Sequence, residues 1–285
     1  MGKEQTDGTM QKKQQLLDKM EQYANQDVMV AFSGGVDSGL LLKLACEAAK
    51  KTGRKVYGVT VQTKLHPSGE MEAAKRMAKE IGAQSLGIAI DELKGAGIMD
   101  NPVNRCYLCK KYLFQKMKEE AHRLGVSIIL EGTNEDDLHI YRPGIRALRE
   151  LQIVSPLALT HITKEEVRSL AAQYGLSMAS KPAAPCLATR FPYGTALTYE
   201  KMRRVEKGEN YLKSLGFQNV RLRVHDTVAR LELDTEEFSH VILHKDKIAG
   251  FLKELGYSYI TLDLEGFRSG SMDISIAEGE EILQA

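Results

Sequence analysis

The chain of 285 residues carries 39 basic and 38 acidic side chains, a formal net charge of +1. This balance gives no global reason to expect a nucleic acid as partner, although it is compatible with local basic sites. No stretch approaches the roughly 18 apolar residues of a membrane span, and the first residues lack the apolar core of a secretory signal. We therefore expect a cytoplasmic protein with neither a membrane nor a nucleic-acid partner, built as one large or two modest domains.

Strands and helices alternate over the first two thirds of the chain, after ten residues without periodicity. The predicted elements are a helix over 11–25, a strand over 28–32, a helix over 39–51, a strand over 55–61, a helix over 69–81, a strand over 85–90, a helix over 106–124, a strand over 127–130 and a helix over 164–174. This order favours an α/β domain over 12–194, with a doubly wound, mostly parallel sheet. Ligands bind such sheets beyond the carboxyl ends of the strands.

The alternation of strands and helices ends near residue 195. A helix over 199–215, strands over 219–224 and 228–233, a helix over 238–255 and a strand over 259–263 are predicted there. The sequence His-Asp-Thr between the first two of these strands fits a hairpin turn. We expect a smaller α+β domain over 195–285 with a mostly antiparallel sheet.

The sequence SGGVDS interrupts the first predicted strand–helix junction. Glycines let the backbone turn sharply and approach a ligand closely, and amide groups at a helix N-terminus suit a phosphate. The order of a Walker loop is absent, and no lysine follows. Because an aspartate repels a phosphate unless it holds a cation, Asp37 is predicted to bind Mg²⁺. The predicted nucleotide-binding residues of this loop are Ser33, Gly34, Gly35, Val36, Asp37 and Ser38.

This hexapeptide resembles the PP-loop of the N-type ATP pyrophosphatases. The resemblance implies an adenine-nucleotide hydrolase-like fold and cleavage of ATP between its α and β phosphates, with AMP and pyrophosphate as products. It also implies that the segment GVTVQT, which contains Gln62, seats the adenine. The structural alternative is a glycine-rich turn capped by serine.

Four cysteines in a chain of this size do not make a disulfide framework. Cys46 falls in an apolar helical pattern and is predicted to be a core residue. Cys106 and Cys109 have Cys-x-x-Cys spacing, and Cys186 lies in a loop punctuated by prolines. Three thiolates can hold three irons of a 4Fe–4S cluster. Redox or persulfide chemistry without a cluster, and a zinc or structural role, remain open alternatives.

The PP-loop together with CYLCK, EGTNEDD, YRPG, KPAAPCLATRFPYGTALT and DLEGFRSGSM resembles the LarE family over residues 12–275. Members of this family are ATP-dependent sulfur transferases of nickel-pincer nucleotide biosynthesis. The resemblance implies that carboxylates of pyridinium-3,5-biscarboxylic acid mononucleotide are adenylated and converted to thiocarboxylates. Three cysteines imply the branch that carries sulfide from an external donor on a 4Fe–4S cluster, and the other branch sacrifices the sulfur of the cysteine that corresponds to Cys186.

The same resemblance assigns roles to four further residues. It implies that Lys110 faces the nucleotide phosphates, that Glu209 contacts the substrate, and that Arg221 and Arg223 bind the mononucleotide phosphate. The two arginines alternate along a predicted strand and therefore share one face of it. A solvated helix glutamate and an ordinary polar strand face are the alternatives.

Two more residues are candidates from their own positions. Glu131 ends a predicted strand and is expected to serve Mg²⁺ or the adenylate, in competition with turn formation by its polar neighbours. Arg190 lies four residues beyond Cys186 and is expected to clamp a carboxylate or phosphate bidentately.

Functions of other classes make different demands on the chain. An ATP-dependent tRNA thiolase needs a basic RNA-binding face, which the neutral charge does not suggest. A glutamine-dependent synthetase needs a source of ammonia, and no glutaminase-sized segment is present. A non-catalytic nucleotide-binding module has no use for three thiols together with Asp37. The family resemblance further implies a homo-oligomer.

Overall fold

The computed structural model describes residues 2–66, 70–140, 142–180, 185–268 and 270–272, with side chains described from residue 9 onward except at positions 70, 179 and 180. The start of the predicted helix at Gly69, and parts of three quoted motifs (Tyr141, residues 181–184 and Ser269), lie outside these ranges. The chain folds into two compact units. The first unit comprises Met1–Lys64, Ser68–Gly97 and Asn104–Ala184, and the second comprises Leu65–Pro67, Ile98–Val103 and Pro185–Ala285.

The first unit is an α/β unit. Its elements in chain order are α1 (Gly2–Tyr23), β1 (Val28–Ala31), α2 (Val36–Thr52), β2 (Val56–Gln62), α3 (Glu70–Ile81), β3 (Gln84–Ala89), α4 (Glu92–Gly95), α5 (Arg105–Arg123), β4 (Ile128–Leu130), α6 (Gly144–Glu150), α7 (Pro156–Leu159) and α8 (Lys164–Gln173). The four strands form a parallel sheet in the order β3-β2-β1-β4. The predicted parallel α/β fold is confirmed.

Both faces of this sheet are covered by helices. Val28 and Val30 of β1 pack into a core that includes α1, α2, α3 and α8. Met29, between them, packs into a second core with α5 and α6. Successive side chains of a strand point to opposite faces, so a strand buried on both faces is apolar throughout. This explains the unbroken apolar run that precedes the PP-loop.

The second unit is an α+β unit with a three-stranded sheet. Its elements are α9 (Tyr199–Ser214), β5 (Val220–His225), β6 (Val228–Leu233), α10 (Phe238–Leu243), α11 (Lys245–Glu254) and β7 (Tyr259–Leu262). The sheet order is β5-β6-β7. The hairpin between β5 and β6 is confirmed, and Asp226 takes the left-handed conformation (φ 52°) in its turn.

Several sequence predictions need correction. The second sheet is mixed rather than mostly antiparallel, because β7 pairs parallel to β6 after a crossover through α10 and α11. The helix predicted over 238–255 is two helices with His244 between them. The first helix begins at Gly2, not at Gln11. Helices α4, α6 and α7 were missed, since they are too short to show a helical period. Within the described part of the chain, no helix combines the length and apolarity that crossing a membrane requires.

Candidate active site

The loop between β1 and α2 has a backbone shape that glycine makes possible. Gly34 has a φ of 77°, in the left-handed region that side chains disfavour. A Cβ at this position would also lie 3.2 Å from the Met77 side chain and 3.4 Å from Ala74. The second glycine, Gly35, is the N-cap of α2. The glycine pair therefore sets the sharp turn from strand to helix.

The first turn of α2 leaves amide groups available for a ligand. The helical ladder starts with Gly39 N donating to the Gly35 carbonyl over 2.9 Å, and no side chain caps the helix. The preceding amides, those of Val36, Asp37 and Ser38, thus have no acceptor within the helix. They lie at the positive end of the helix dipole, which attracts anions.

Two serine hydroxyls hold this loop together. The Oγ atoms of Ser33 and Ser38 are 3.2 Å apart, and Ser38 Oγ donates to the Gly35 carbonyl over 3.2 Å. Ser33 Oγ in turn accepts a hydrogen bond from Gly35 N. The loop is therefore preorganised as an anion cradle before any phosphate binds.

Asp37 is held by partners from two distant parts of the chain. Its Oδ1 accepts a hydrogen bond from Asn134 Nδ2 over 2.9 Å. Its Oδ2 forms an ion pair with Lys164 Nζ over 2.5 Å. The sequence analysis missed Lys164, because nothing in the local pattern at the start of α8 distinguishes it from a solvated helix lysine.

The loop after β4 touches the PP-loop at Gly132. A Cβ on Gly132 would lie 2.9 Å from Ser38 N and 3.0 Å from Asp37 Cβ. Only glycine allows the two backbones to come this close. The carboxyl ends of the neighbouring strands β1 and β4 therefore meet at one site.

Glu131 is buried beside this contact and fully engaged. Its carboxylate accepts hydrogen bonds from Thr133 N (2.9 Å), Thr133 Oγ1 (3.0 Å) and Ser155 Oγ. Lys110 Nζ, on α5, lies 3.5 Å from Glu131 Oε2. The structure thus brings together Glu131 and Lys110, two residues for which the sequence predicted a role at the nucleotide. The hydrogen bonds from Thr133 and Ser155 also hold the Glu131 carboxylate in place. Gln62 ends β2 at the same edge of the sheet, with an exposed side chain.

The paired cysteines lie in the first turns of α5. Cys106 is exposed and Cys109 is half-buried, and residues three apart share one helix face. The start of α6 packs closely on this turn, since a Cβ on Gly144 would lie 2.8 Å from Lys110 Cδ. Cys46 is a core residue, as its apolar pattern predicted, and burial raises the pKa of its thiol to about 11.

The three candidate thiols provide a chemically suitable donor set for an iron–sulfur cluster. Cys106 and Cys109 belong to the first unit, and the half-buried Cys186 belongs to the second. Thiolate sulfur is the donor type that the irons of such a cluster take. Among the residues that the structure describes, no three His, Cys, Asp or Glu side chains are grouped as a site for a single metal ion.

Arg190 and Glu209, both predicted to contact the substrate, are partners of each other in the structure. The two side chains bind each other through Nε–Oε1 (2.8 Å) and Nη2–Oε2 (3.0 Å), and both are buried. Arg190 Nη1 also donates to the Cys186 carbonyl over 3.2 Å. Glu209 Oε1 accepts from Leu222 N. Pairing offsets the cost of burying two charges, and the pair fixes the Cys186 loop onto α9 and β5.

The two strand arginines also differ from each other. Arg223 is buried and paired with Glu232 over 2.8 Å. Arg221 donates only to the carbonyl of its neighbour Val220 and lies 5.1 Å over the Phe267 ring. Burial lowers the pKa of Arg221, and the nearby charges of Arg190 and Arg223 lower it as well. An anion beside Arg221 would raise this pKa again, and Arg221, unlike Arg223, has no carboxylate partner among the described residues.

The parallel α/β unit and its phosphate-binding loop define a PP-loop ATP pyrophosphatase. In agreement, the family described as the PP-loop domain matches residues 8–140. An uncharacterized protein of Synechocystis sp. is 39% identical over 248 residues, which cover 86% of this chain and 91% of that protein. A tRNA-specific 2-thiouridylase of Caldanaerobacter subterraneus is 27% identical over 198 residues, 55% of this chain and 53% of that protein.

A third comparison identifies the family. The pyridinium-3,5-bisthiocarboxylic acid mononucleotide synthase of Lactiplantibacillus plantarum is 36% identical over 255 residues, which cover 90% of this chain and 92% of that protein. The chain therefore belongs to the LarE family, the family of this synthase, and is an enzyme of the PP-loop class.

Proposed function

We propose that the protein is an ATP-dependent sulfur transferase of nickel-pincer nucleotide biosynthesis. It adenylates the carboxylates of pyridinium-3,5-biscarboxylic acid mononucleotide and converts them to thiocarboxylates. The observation that carries this proposal is the preorganised anion cradle at residues 33–38, with Asp37 at its rim, in a chain that is related to the Lactiplantibacillus synthase over 90% of its length.

The first unit supplies the groups for adenylation. The amides of the first turn of α2 bind the phosphates of ATP, and Asp37 binds Mg²⁺ through its carboxylate. A carboxylate oxygen of the substrate attacks the α phosphorus, the bond to the bridging oxygen breaks, and pyrophosphate leaves with the electron pair. Lys110, next to Glu131, adds a positive charge that stabilises the phosphates. Gln62 lies at the sheet edge where the adenine is proposed to bind.

The second unit supplies the substrate phosphate site. Arg221 binds the mononucleotide phosphate, since its guanidinium has no carboxylate partner among the described residues. Arg223 supports it from the same strand face while held by Glu232. Arg190 acts on the loop, because its bond to the Cys186 carbonyl fixes the position of that cysteine.

The sulfur source is the finer part of the proposal. Cys106, Cys109 and Cys186 would hold a 4Fe–4S cluster, which supplies a site for hydrosulfide from an external donor. Two measurements on anaerobically reconstituted protein test for the cluster. The first is the content of iron and acid-labile sulfide, and the second is the alkylation of the cysteines with and without iron. The cluster should protect Cys106, which is exposed, whereas Cys46 resists alkylation with or without the cluster because it is buried. Equal labelling of Cys106 with and without iron contradicts the cluster.

The overall reaction is tested with ATP, Mg²⁺, the mononucleotide and sulfide under anaerobic conditions. We expect AMP, pyrophosphate and the thiocarboxylate product, which mass spectrometry distinguishes from the substrate. ADP and phosphate as products would remove the PP-loop mechanism. Light scattering tests whether the protein is a homo-oligomer, as the family suggests.

Two alternatives make different predictions. Sacrifice of the Cys186 sulfur limits each chain to one transferred sulfur and leaves dehydroalanine, a loss of the mass of H₂S that intact mass spectrometry detects. A tRNA thiolase, suggested by the weaker similarity to the 2-thiouridylase, would consume ATP in the presence of tRNA without the mononucleotide. The net charge of +1 gives no support to an extended RNA-binding face.

A further inference from the structure

The second unit contains a small cavity that the proposed reaction does not use. Its volume is about 140 Å³, close to the roughly 150 Å³ of an engineered cavity that holds benzene. The walls come from the loop before α9, from α9, from the β5–β6 hairpin and from the turn before β7. The lining residues are Phe191, Thr195, Lys201, Arg204, Val224, Asp226 and Tyr257.

Two cationic side chains of α9 line this cavity. Lys201 Nζ donates to the Ala196 carbonyl over 2.7 Å and pairs with no described carboxylate, so two of its three protons remain for a ligand. Arg204 Nη2 pairs with Glu200, but that carboxylate is 74% exposed, and such surface pairs contribute little. Arg204 Nη1 faces the turn before β7, since a Cβ on Gly256 would lie 3.4 Å from it.

A buried hydroxyl group without a partner also lines the cavity. Tyr257 is 6% exposed, and within the described part of the chain no group is hydrogen-bonded to its hydroxyl. The hydroxyl of a buried tyrosine usually has a partner, which a ligand in the cavity would supply. Burial raises the pKa of Tyr257 to about 12, although the nearby charge of Arg204 acts in the opposite direction. The phenol is therefore a neutral donor at pH 7.

The charges and the walls of the cavity define the ligand that fits it. The two cations are opposed by one acid among the lining residues, Asp226, which is exposed in the hairpin turn. Phe191 and Val224 are buried and apolar, so an inorganic anion would leave part of the wall without contacts. We propose that the cavity binds a small organic carboxylate. Its oxygens accept hydrogen bonds from the α9 cations and from Tyr257, and its apolar body packs on the apolar wall.

This site is distinct from the phosphate site proposed for the mononucleotide. Successive side chains of a strand point to opposite faces, so Val224, which lines the cavity, lies on the other face of β5 from Arg221 and Arg223. All the lining residues belong to the second unit, whereas the PP-loop belongs to the first. The inference therefore does not rest on the proposed function, and its test requires neither ATP nor a sulfur source.

Calorimetry with benzoate and benzamide tests whether the cavity requires an anion. The two probes have nearly the same shape, but only benzoate is charged at pH 7. We expect benzoate to bind with a dissociation constant on the order of millimolar, as for a fragment of its size, and benzamide to bind at least about tenfold more weakly. Inorganic phosphate, which has the charge but no apolar body, should also bind more weakly than benzoate.

Four substitutions locate the binding site. Lys201→Met and Arg204→Met should each weaken benzoate binding by about tenfold or more, the usual range for a lost charge-assisted hydrogen bond. Tyr257→Phe should weaken it by about two- to tenfold without loss of stability, because the hydroxyl has no described partner. Asp226→Asn should strengthen it by about two- to fivefold, since a like charge is removed. Asparagine tolerates the left-handed φ of 52° at this position.

Lys207→Met is the matched control, because Lys207 is an exposed lysine of α9 that does not line the cavity. It should leave the benzoate affinity within about twofold of the wild type. Urea unfolding and circular dichroism check the fold of each variant. Three results would overturn the assignment: no benzoate binding, benzamide or phosphate binding as tight as that of benzoate, or equal effects of Lys201→Met and Lys207→Met.

Discussion

At the scale of single residues, Glu92 is a buried carboxyl group that forms no ion pair among the described residues. It is 1% exposed, and within the described part of the chain no group lies in hydrogen-bond geometry to either of its carboxylate oxygens. Burial raises the pKa of this carboxyl group, although the nearby backbone amides of Glu92 and Lys64 act in the opposite direction. A carboxyl group whose pKa is higher in the folded state stabilises the fold fully only below its unfolded pKa. Its contribution is lost as the pH rises through the folded pKa.

Glu92→Gln should therefore have a larger free energy of unfolding than the wild type at pH 7. The difference should narrow as the pH falls towards about 4.3, the pKa of glutamate in an unfolded chain. Urea unfolding of both proteins between pH 4 and pH 7 measures this difference in the free energy of unfolding. Glu47→Gln is the control of opposite sign, because hydrogen bonds from Lys43 and Lys50 lower the pKa of Glu47. A Glu92→Gln protein that is no more stable than the wild type at pH 7 contradicts the argument.

At the scale of elements, the loops after β1 and β4 depend on close backbone contact. Gly132→Ala places a Cβ 2.9 Å from Ser38 N, a backbone atom that cannot move aside freely. We expect a loss of about 1–3 kcal/mol of stability, as for overpacking, together with weaker Mg·ATP binding. Urea unfolding and calorimetry measure the two effects.

The control for this substitution is Gly250→Ala within α11. A Cβ on Gly250 meets no atom within 4 Å, and alanine is favoured over glycine in a helix by about 1 kcal/mol. This variant should be at least as stable as the wild type and bind Mg·ATP normally. Normal Mg·ATP binding by Gly132→Ala would contradict the argument that nucleotide binding depends on close contact between the loops after β1 and β4.

Substitutions of the two arginines of β5 should have different effects, on stability for Arg223 and on substrate binding for Arg221. Arg223→Met leaves the fully buried Glu232 with Arg230 and Ser271 as its remaining partners, and breaking a buried pair costs about 3–5 kcal/mol. Arg221→Met breaks no ion pair and should cost less than about 1 kcal/mol, while it weakens binding of the mononucleotide. Urea unfolding and substrate titration distinguish the two variants, and equal losses of stability would refute this division.

At the scale of the whole molecule, the order of the strands gathers the candidate site. β1 lies between β2 and β4, so that the loops following neighbouring parallel strands open at one edge. Asp37 thereby meets Asn134, which is 97 positions away, and Lys164. In the second unit, the Cys186 loop is likewise tied to α9 and β5 through Arg190 and Glu209.

Much of this architecture was predictable from the sequence alone. The alternation of apolar strands with amphipathic helices determined the α/β fold, since a period of two or 3.6 residues is a local property of the chain. The SGGVDS loop is equally local, because its glycines and serines act within one turn. Its position after an apolar strand was sufficient to indicate the PP-loop class, and the quoted motifs were sufficient to indicate the family.

Only the tertiary structure decided how the charged side chains are paired. The sequence placed Arg190 and Glu209 as substrate contacts and treated Arg221 and Arg223 as equivalent, but burial pairs three of these four with protein partners. It also missed Lys164, the partner of Asp37. The physical reason is that a charge must find a counter-charge wherever folding removes it from water. Burial is a property of the assembled fold, and no local pattern of residues records it.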